Sequence, residues 1–174
     1  MWRDALGRWL GVAVLIYAAS ADFAYPHAPA AAEHAGVERN KAVARRWIEE
    51  GFNNRKLSVV DELFQEEFVV NGHAIGCDGL KQSMGRHLRG FPDLHVRIDD
   101  VVAEGNRVGI WYTVEGTHRG EFEGIQPTHK KVTWVGFDLL TIEDGRISEG
   151  RFVSDLLGLL KQLGATVSSP SVQR

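Results

Sequence analysis

Along the first half of the chain apolar residues return every three or four positions, and along the second half they return every two. Val43, Trp47, Ile48 and Phe52 fall at helical spacing, which predicts a first helix that stops at the Asn53-Asn54 pair. Leu57, Val60, Leu63 and Phe64 mark a second, short helix, and Phe68, Val69 and Val70 a brief strand. Asp78 stands where its carboxylate can accept a hydrogen bond from an early amide of a third helix, whose face carries Leu80, Met84 and Leu88. Gly90 to Pro92 ends that helix. Residues 94–102, 107–115, 130–142 and 146–154 have strand composition, with turns at Gly105-Asn106 and Asp144-Gly145. Aspartate followed by glycine tolerates positive φ, so the second turn predicts a tight antiparallel hairpin. Asp155 then opens a last helix with Leu156, Leu159, Leu160 and Leu163 as its apolar stripe and Gly164 as its stop.

Three helices followed by a long, strongly bent antiparallel sheet make an α+β fold in which helices cover one sheet face. Curling the sheet around them leaves a conical cavity with a mixed apolar and ionisable lining, suited to a small hydrophobic ligand.

A chain of 174 residues supports one sizeable core. The ordered domain is expected over residues 37–167, with an extension over 1–36 and a loose tail over 168–174. The extension reads two ways. Arg3 and Arg8, an apolar run from Trp9 to Ala19 and small residues through Ala32 follow signal-peptide order. Asp4 dilutes the basic region, and the alternative is a dispensable extension or an amphipathic helix lying on the domain. The first reading implies export or a periplasmic location and the second the cytoplasm; the run is too short for a permanent membrane span. A net charge of −3 and a pI near 6.2 give no pull toward nucleic acid. The single cysteine, Cys77, excludes an intrachain disulfide and a thiolate metal cluster.

Asp138 carries the chemical interest. A carboxylate inside an apolar strand is costly unless it is neutralised, paired or used. By parity Val132, Trp134, Gly136, Asp138, Leu140 and Ile142 share one face, and Thr133, Val135, Phe137, Leu139 and Thr141 the other. Both faces are apolar enough that the pattern leaves the orientation of Asp138 open: inward it is a desolvated acid/base with a raised pKa, outward an ordinary exposed or paired side chain. Gly136 relieves crowding or bends the strand. His118 after Gly116-Thr117 and His73 after Asn71-Gly72 are candidate proton-handling or orienting groups, or else locally bonded loop histidines. His87 lies near the apolar helix face, where packing serves as well as chemistry. Asp155 reads first as a helix cap, and Glu149 and Arg151 as a polar pair. Trp134, Trp111 and Tyr112 are candidate aromatic contacts for a ligand, although Trp111 and Tyr112 face opposite sides of their strand. No nucleotide-binding glycine motif, H-E-x-x-H zinc motif or G-x-S-x-G elbow occurs.

Several stretches carry a resemblance: F-P-D-L at residues 91–94, D-V-V-A-E-G-N-R-V at 100–108, G-T-H-R-G-E-F-E-G-I-Q-P-T at 116–128, D-G-R-I-S-E at 144–149 and D-L-L-G-L-L-K-Q-L-G at 155–164. From about Asn40 to Gly164 the chain resembles the SnoaL-like polyketide cyclases, or ester cyclases, of the NTF2-like superfamily. The resemblance implies the cone fold and a cofactor-independent, metal-independent aldol ring closure of a carbonyl-containing, polyketide-like substrate. It implies Asp138 as the general acid/base, with His118 and His73 as less secure catalytic carry-overs. Trp134, Tyr112, Trp111, His87, Arg151 and Asp155 are the expected substrate contacts. Two positions depart from the family pattern: His129 replaces a glycine after the Pro-Thr pair, and Arg151 an aromatic residue on the last strand. A noncatalytic ligand-binding or dimerisation module, and a hydratase or isomerase, are the alternatives on this fold. A homodimer through the outward sheet face is expected, because Thr133, Val135, Phe137 and Leu139 offer more apolar surface than a solvent-facing strand should expose.

Overall fold

Alanine-rich sequence and the apolar stripe that follows it begin the described structure, a computed structural model covering residues 30–166. Most of the signal-like extension, and the tail from residue 167, lie outside the described residues. Helix α1 (Ala30–Arg46) starts well before Gly36, because Ala30 to Glu33 are good helix formers that outweigh one glycine. Its last turn runs without a break into a π-helical segment, Trp47–Asn53, that buries Trp47, Ile48 and Gly51. Asn53 fastens this segment to the sheet: its amide donates to the Val96 carbonyl at 2.9 Å and accepts from the Val96 N–H at 2.8 Å. Helix α2 (Val59–Leu63) and helix α3 (Gly76–Gly90) complete the helical layer. Asp78 does not cap α3. Ile75 holds the cap position, and Asp78 sits exposed in the first turn, where its charge still favours the helix N-terminus.

Six strands form one sheet: β1 (Phe64–Val70), β2 (His73–Ala74), β3 (His95–Glu104), β4 (Arg107–Thr117), β5 (Lys131–Glu143) and β6 (Arg146–Ser154), in the order β2-β1-β6-β5-β4-β3. Both anticipated turns are present, with positive φ at Gly105, Asp144 and Gly145. The sheet is curved and mainly antiparallel, with register shifts at Ile98/Asp100 and Thr141/Ile142 that bend its long strands. One pairing departs from the all-antiparallel expectation: β1 runs parallel to β6, matching Val69 with Glu149. Turn signals report only strands that follow one another, and these two share no turn.

Burial along β5 settles its orientation. Val132, Trp134, Gly136, Asp138, Leu140 and Ile142 are all buried against the helices, and Thr133 and Val135 are exposed. Beyond Gly136, where the pairing with β6 stops, helix α4 (Leu156–Leu163) covers the open edge of β5. The Gln162 side chain acts there as a substitute strand, accepting from the Thr133 N–H at 3.0 Å and donating to the Thr133 carbonyl at 2.8 Å. Asp155 caps α4 by accepting from the Gly158 N–H at 2.8 Å, and Gly164 ends it in the left-handed conformation. Leu159 and Leu163 are buried, whereas Leu156 is exposed and drops out of the expected stripe. Replacing Asp155 by alanine removes the cap and is expected to cost about 1 kcal/mol in denaturant unfolding; an unchanged midpoint would show that the cap contributes nothing.

Candidate active site

Between the helices and the concave sheet face lies a cavity of about 300 Å³. Its wall is drawn from several elements: Trp47, Ile48 and Phe52 from the π-helical segment, Leu80, Ser83, Met84 and His87 from α3, Tyr112 and Val114 from β4, Trp134 and Asp138 from β5, and Phe152 from β6. Two aromatic groups flank it. Trp47, Phe64 and Phe68 pack edge to face at centroid separations of 4.9 and 4.8 Å, and Phe152 extends the row. On the other side Phe91 meets Trp134 at 5.2 Å and Phe122 at 5.1 Å. Such contacts hold the wall rigid and keep it apolar.

Asp138 is the one carboxyl group in this lining, only 3% exposed. Burial pushes its carboxyl up to about 7, against weaker opposing pulls from the Tyr112 hydroxyl and the Trp47 indole N–H. The Tyr112 hydroxyl donates to Oδ1 at 2.9 Å. Burial, the neighbouring carboxylate and that bond together raise the phenol well above its usual range, so Tyr112 stays protonated and a donor. The Trp47 N–H lies near enough to favour the charged form of Asp138 yet forms no hydrogen bond.

Gly136 makes the Tyr112 contact possible. Tyr112 and Gly136 are directly paired across β4 and β5, and a Cβ on Gly136 would stand 2.6 Å from the Tyr112 hydroxyl oxygen. The missing side chain is the space in which the phenol lies on its way to Asp138.

His87 also belongs to the wall. Its Nδ1 is 3.0 Å from the Ser83 carbonyl oxygen, which can only accept, so Nδ1 carries a proton and Nε2 is the lone-pair nitrogen of the neutral ring. Burial depresses its pKa, partly offset by the Ser83 bond. The ring also packs against Phe122 at 5.1 Å, so packing and a place in the cavity coexist.

The remaining expected site residues are elsewhere. His118 is fully buried but does not line the cavity. Its Nδ1 accepts from the Thr128 N–H at 3.1 Å and lies 3.1 Å from the Thr128 hydroxyl, tying together the two ends of the loop between β4 and β5. His73 is exposed on β2 and outside the wall, although Val70, Asn71 and Ile75 around it contribute. Trp111 is 48% exposed on the convex face beside Phe137. Arg151 is exposed on that side and pairs with Glu149 at 3.3 Å, and Asp155 is the α4 cap. Among the expected residues, then, Asp138, Tyr112, Trp134 and His87 come together. Trp47, Ser83 and Phe152 join them without having been singled out; helical or strand spacing marks such residues as core and carries no sign of a cavity.

Among the described residues no group of three or more His, Cys, Asp or Glu side chains converges as a metal site, and no helix is long and apolar enough to cross a membrane. Substituting Gly136 by alanine should displace the Tyr112 ring and break its bond to Asp138. The expected result is a further rise in the Asp138 pKa, measured by carboxyl NMR titration, with the fold retained; an unaltered titration would mean that Tyr112 does not hold the carboxyl.

The family model described as SnoaL-like polyketide cyclase matches residues 42–163. The nogalonic acid methyl ester cyclase of Streptomyces nogalater is 28% identical over 120 residues, 65% of this chain and 89% of that protein. The crystal structure of AclR from Streptomyces galilaeus, assigned as a hydroxylase, superposes with a TM-score of 0.68 at 28% identity, covering 78% of this chain and 91% of AclR. A SnoaL-like protein from Jannaschia sp. CCS1 shares the fold, with a TM-score of 0.69 at 24% identity over 76% of this chain and 96% of its own. With a matched span that runs from α1 to the end of α4 and encloses most of the cavity wall, the chain belongs to the SnoaL-like polyketide cyclase family.

Proposed function

We propose that the protein is a cofactor-independent cyclase that closes a ring in a polyketide-like, carbonyl-containing substrate by an intramolecular aldol step, with Asp138 as general acid and base. The observation that carries this reading is a solitary carboxyl group, buried in an aromatic cavity and poised near neutrality. A methylene flanked by carbonyls is acidic enough for a desolvated carboxylate to deprotonate, and the cavity holds the second carbonyl within reach of the enolate. The proton on Asp138 then passes to the new alkoxide, so the residue ends as it began. Tyr112 orients the carboxyl, Trp134 and the flanking aromatic rings hold the substrate's flat body, and His87 Nε2 accepts from a substrate hydroxyl. The relation to a methyl ester cyclase supports this reaction class. His118 and His73 have no part in it, since neither reaches the cavity.

Asparagine at position 138 keeps the size of the side chain and removes its proton cycle. Turnover of an identified substrate by Asp138→Asn is expected to fall about 10²- to 10⁴-fold with binding retained; near-parental turnover in a folded, ligand-binding variant would overturn the assignment. Parental turnover should rise with pH through about 7 as Asp138 ionises. The sign for stability is opposite. Because the folded-state pKa lies above the ordinary carboxylate value, the native state favours the protonated form, and this contribution is lost as pH rises from the ordinary carboxylate range through about 7. Asp138→Asn should therefore gain on the parent above neutrality by on the order of a few kcal/mol, and a constant difference across that window would contradict the burial of the charge.

The second element of the reading is a homodimer through the convex sheet face, where Val102, Trp111, Val135 and Val153 are exposed beside Phe137. Light scattering should give twice the mass of 19.3 kDa, and Trp111→Glu should shift it toward monomer. A parental chain that stays monomeric at all concentrations would exclude this interface.

A further inference from the structure

Two buried side-chain nitrogens lack a partner among the described residues, Trp47 Nε1 and His118 Nε2, and of these only Trp47 lines the cavity. A buried N–H without an acceptor loses the hydrogen bond it would make to water in the unfolded chain, and the Trp47 ring is held so that it cannot turn away to find one. Phe52 and Phe64 meet it edge to face at 5.0 and 4.9 Å. Gly51 lies so close that an added Cβ would stand 3.1 Å from the Trp47 ring. The π-helical segment that begins at Trp47 is clamped to β3 through both atoms of the Asn53 amide; π-helical turns of this kind recur at functional sites. Trp47 itself is 1% exposed. The donor is rigid, buried and adjacent to Asp138, whose charged form it favours without making a hydrogen bond to it, while the neighbouring Tyr112 hydroxyl is already committed to Asp138 Oδ1.

We propose that Trp47 Nε1–H binds a carbonyl oxygen of the substrate and stabilises the enolate that forms there. The proposal rests on the aldol reading of Asp138 and narrows the ligand class to compounds with an enolisable carbonyl on a flat apolar body that fits the cavity. Asp138 takes the proton from the carbon next to that carbonyl. The C–H bonding pair moves toward oxygen, and the negative charge leaves the carboxylate and appears on the oxygen held by Trp47. When the new C–C bond forms, the pair moves back through carbon to the second carbonyl, whose oxygen becomes the alkoxide and takes the proton from Asp138. A single negative charge is present throughout. Carboxylate and enolate are never charged together, so the indole N–H can stand beside both without placing two anions side by side. A fixed donor aimed at developing charge acts most strongly where water is excluded.

The binding test needs no turnover. In the full chain carrying Asp138→Asn, which stands in for the protonated acid, 4-nitrophenolate serves as a stable enolate mimic, and naphthalene as a probe of similar shape without an acceptor. Adding Trp47→Phe should weaken nitrophenolate binding about tenfold and leave naphthalene binding nearly unchanged. In the Asp138→Asn chain with Trp47 intact, the Trp47 indole N–H proton resonance should move downfield when nitrophenolate binds, a reading that does not depend on the phenylalanine variant folding. A stationary indole resonance, equal losses for both probes, or failure of nitrophenolate to bind would overturn the proposal. With a cyclised substrate in hand, Trp47→Phe alone should lower kcat about 10²-fold with little change in KM. Undiminished kcat would remove Trp47 and leave Asp138 in place. Conversely, nitrophenolate binding through Trp47 in a protein that cyclises nothing would keep the donor and remove the aldol reading.

Discussion

A carboxyl group held away from water must be satisfied by its neighbours, and much of this fold is arranged around that requirement at Asp138. Its hydroxyl partner, Tyr112, comes from the adjacent strand, and the partner's approach depends on the absence of a side chain at Gly136. The face that carries Asp138 also carries Trp134, Leu140 and Ile142, so turning the aspartate outward by a one-residue slip would expose the apolar core with it. Hydrophobic burial thus fixes the position of an acid that burial itself disfavours in its charged form.

The sequence motifs behind the family resemblance turn out to serve the frame more than the chemistry. Asp93 of F-P-D-L accepts from both the Thr117 N–H and the Thr117 hydroxyl at 2.7 Å, and Phe91 packs over Gly116, where a Cβ would approach it to 3.1 Å. His118, in the same G-T-H segment, closes its loop on Thr128. These contacts bind the end of α3 to the end of β4. Contacts of this kind hold the frame together and leave the substrate unspecified.

The long strands and the last helix were legible because alternation, Asp-Gly turn chemistry and an aspartate before a leucine stripe each have a local cause. Asp138 was legible as an anomaly in an apolar strand. Its direction was not, since Val135, Phe137 and Leu139 make the outer face nearly as apolar as the inner one. His118 drew attention because histidine at a turn is often chemical, yet its bond to Thr128 is a tertiary fact. Trp47 was hidden for the opposite reason: helical spacing marked it correctly as packed, and spacing carries no record of whether an indole N–H finds an acceptor.

The parallel pairing of β1 with β6 bears on how the protein comes into being. Val69 joins Glu149 across most of the described chain, whereas the β3–β4, β4–β5 and β5–β6 pairs form between consecutive strands. Closing so large a loop carries more entropic cost than closing a hairpin, and contacts of high sequence separation form slowly. During synthesis β1 waits, with one edge unpaired, for the last strand to emerge. Val70 and Asn71, at its end, belong to the cavity wall, so the pocket is completed only when β6 arrives, and the cavity is among the last parts of the molecule to exist.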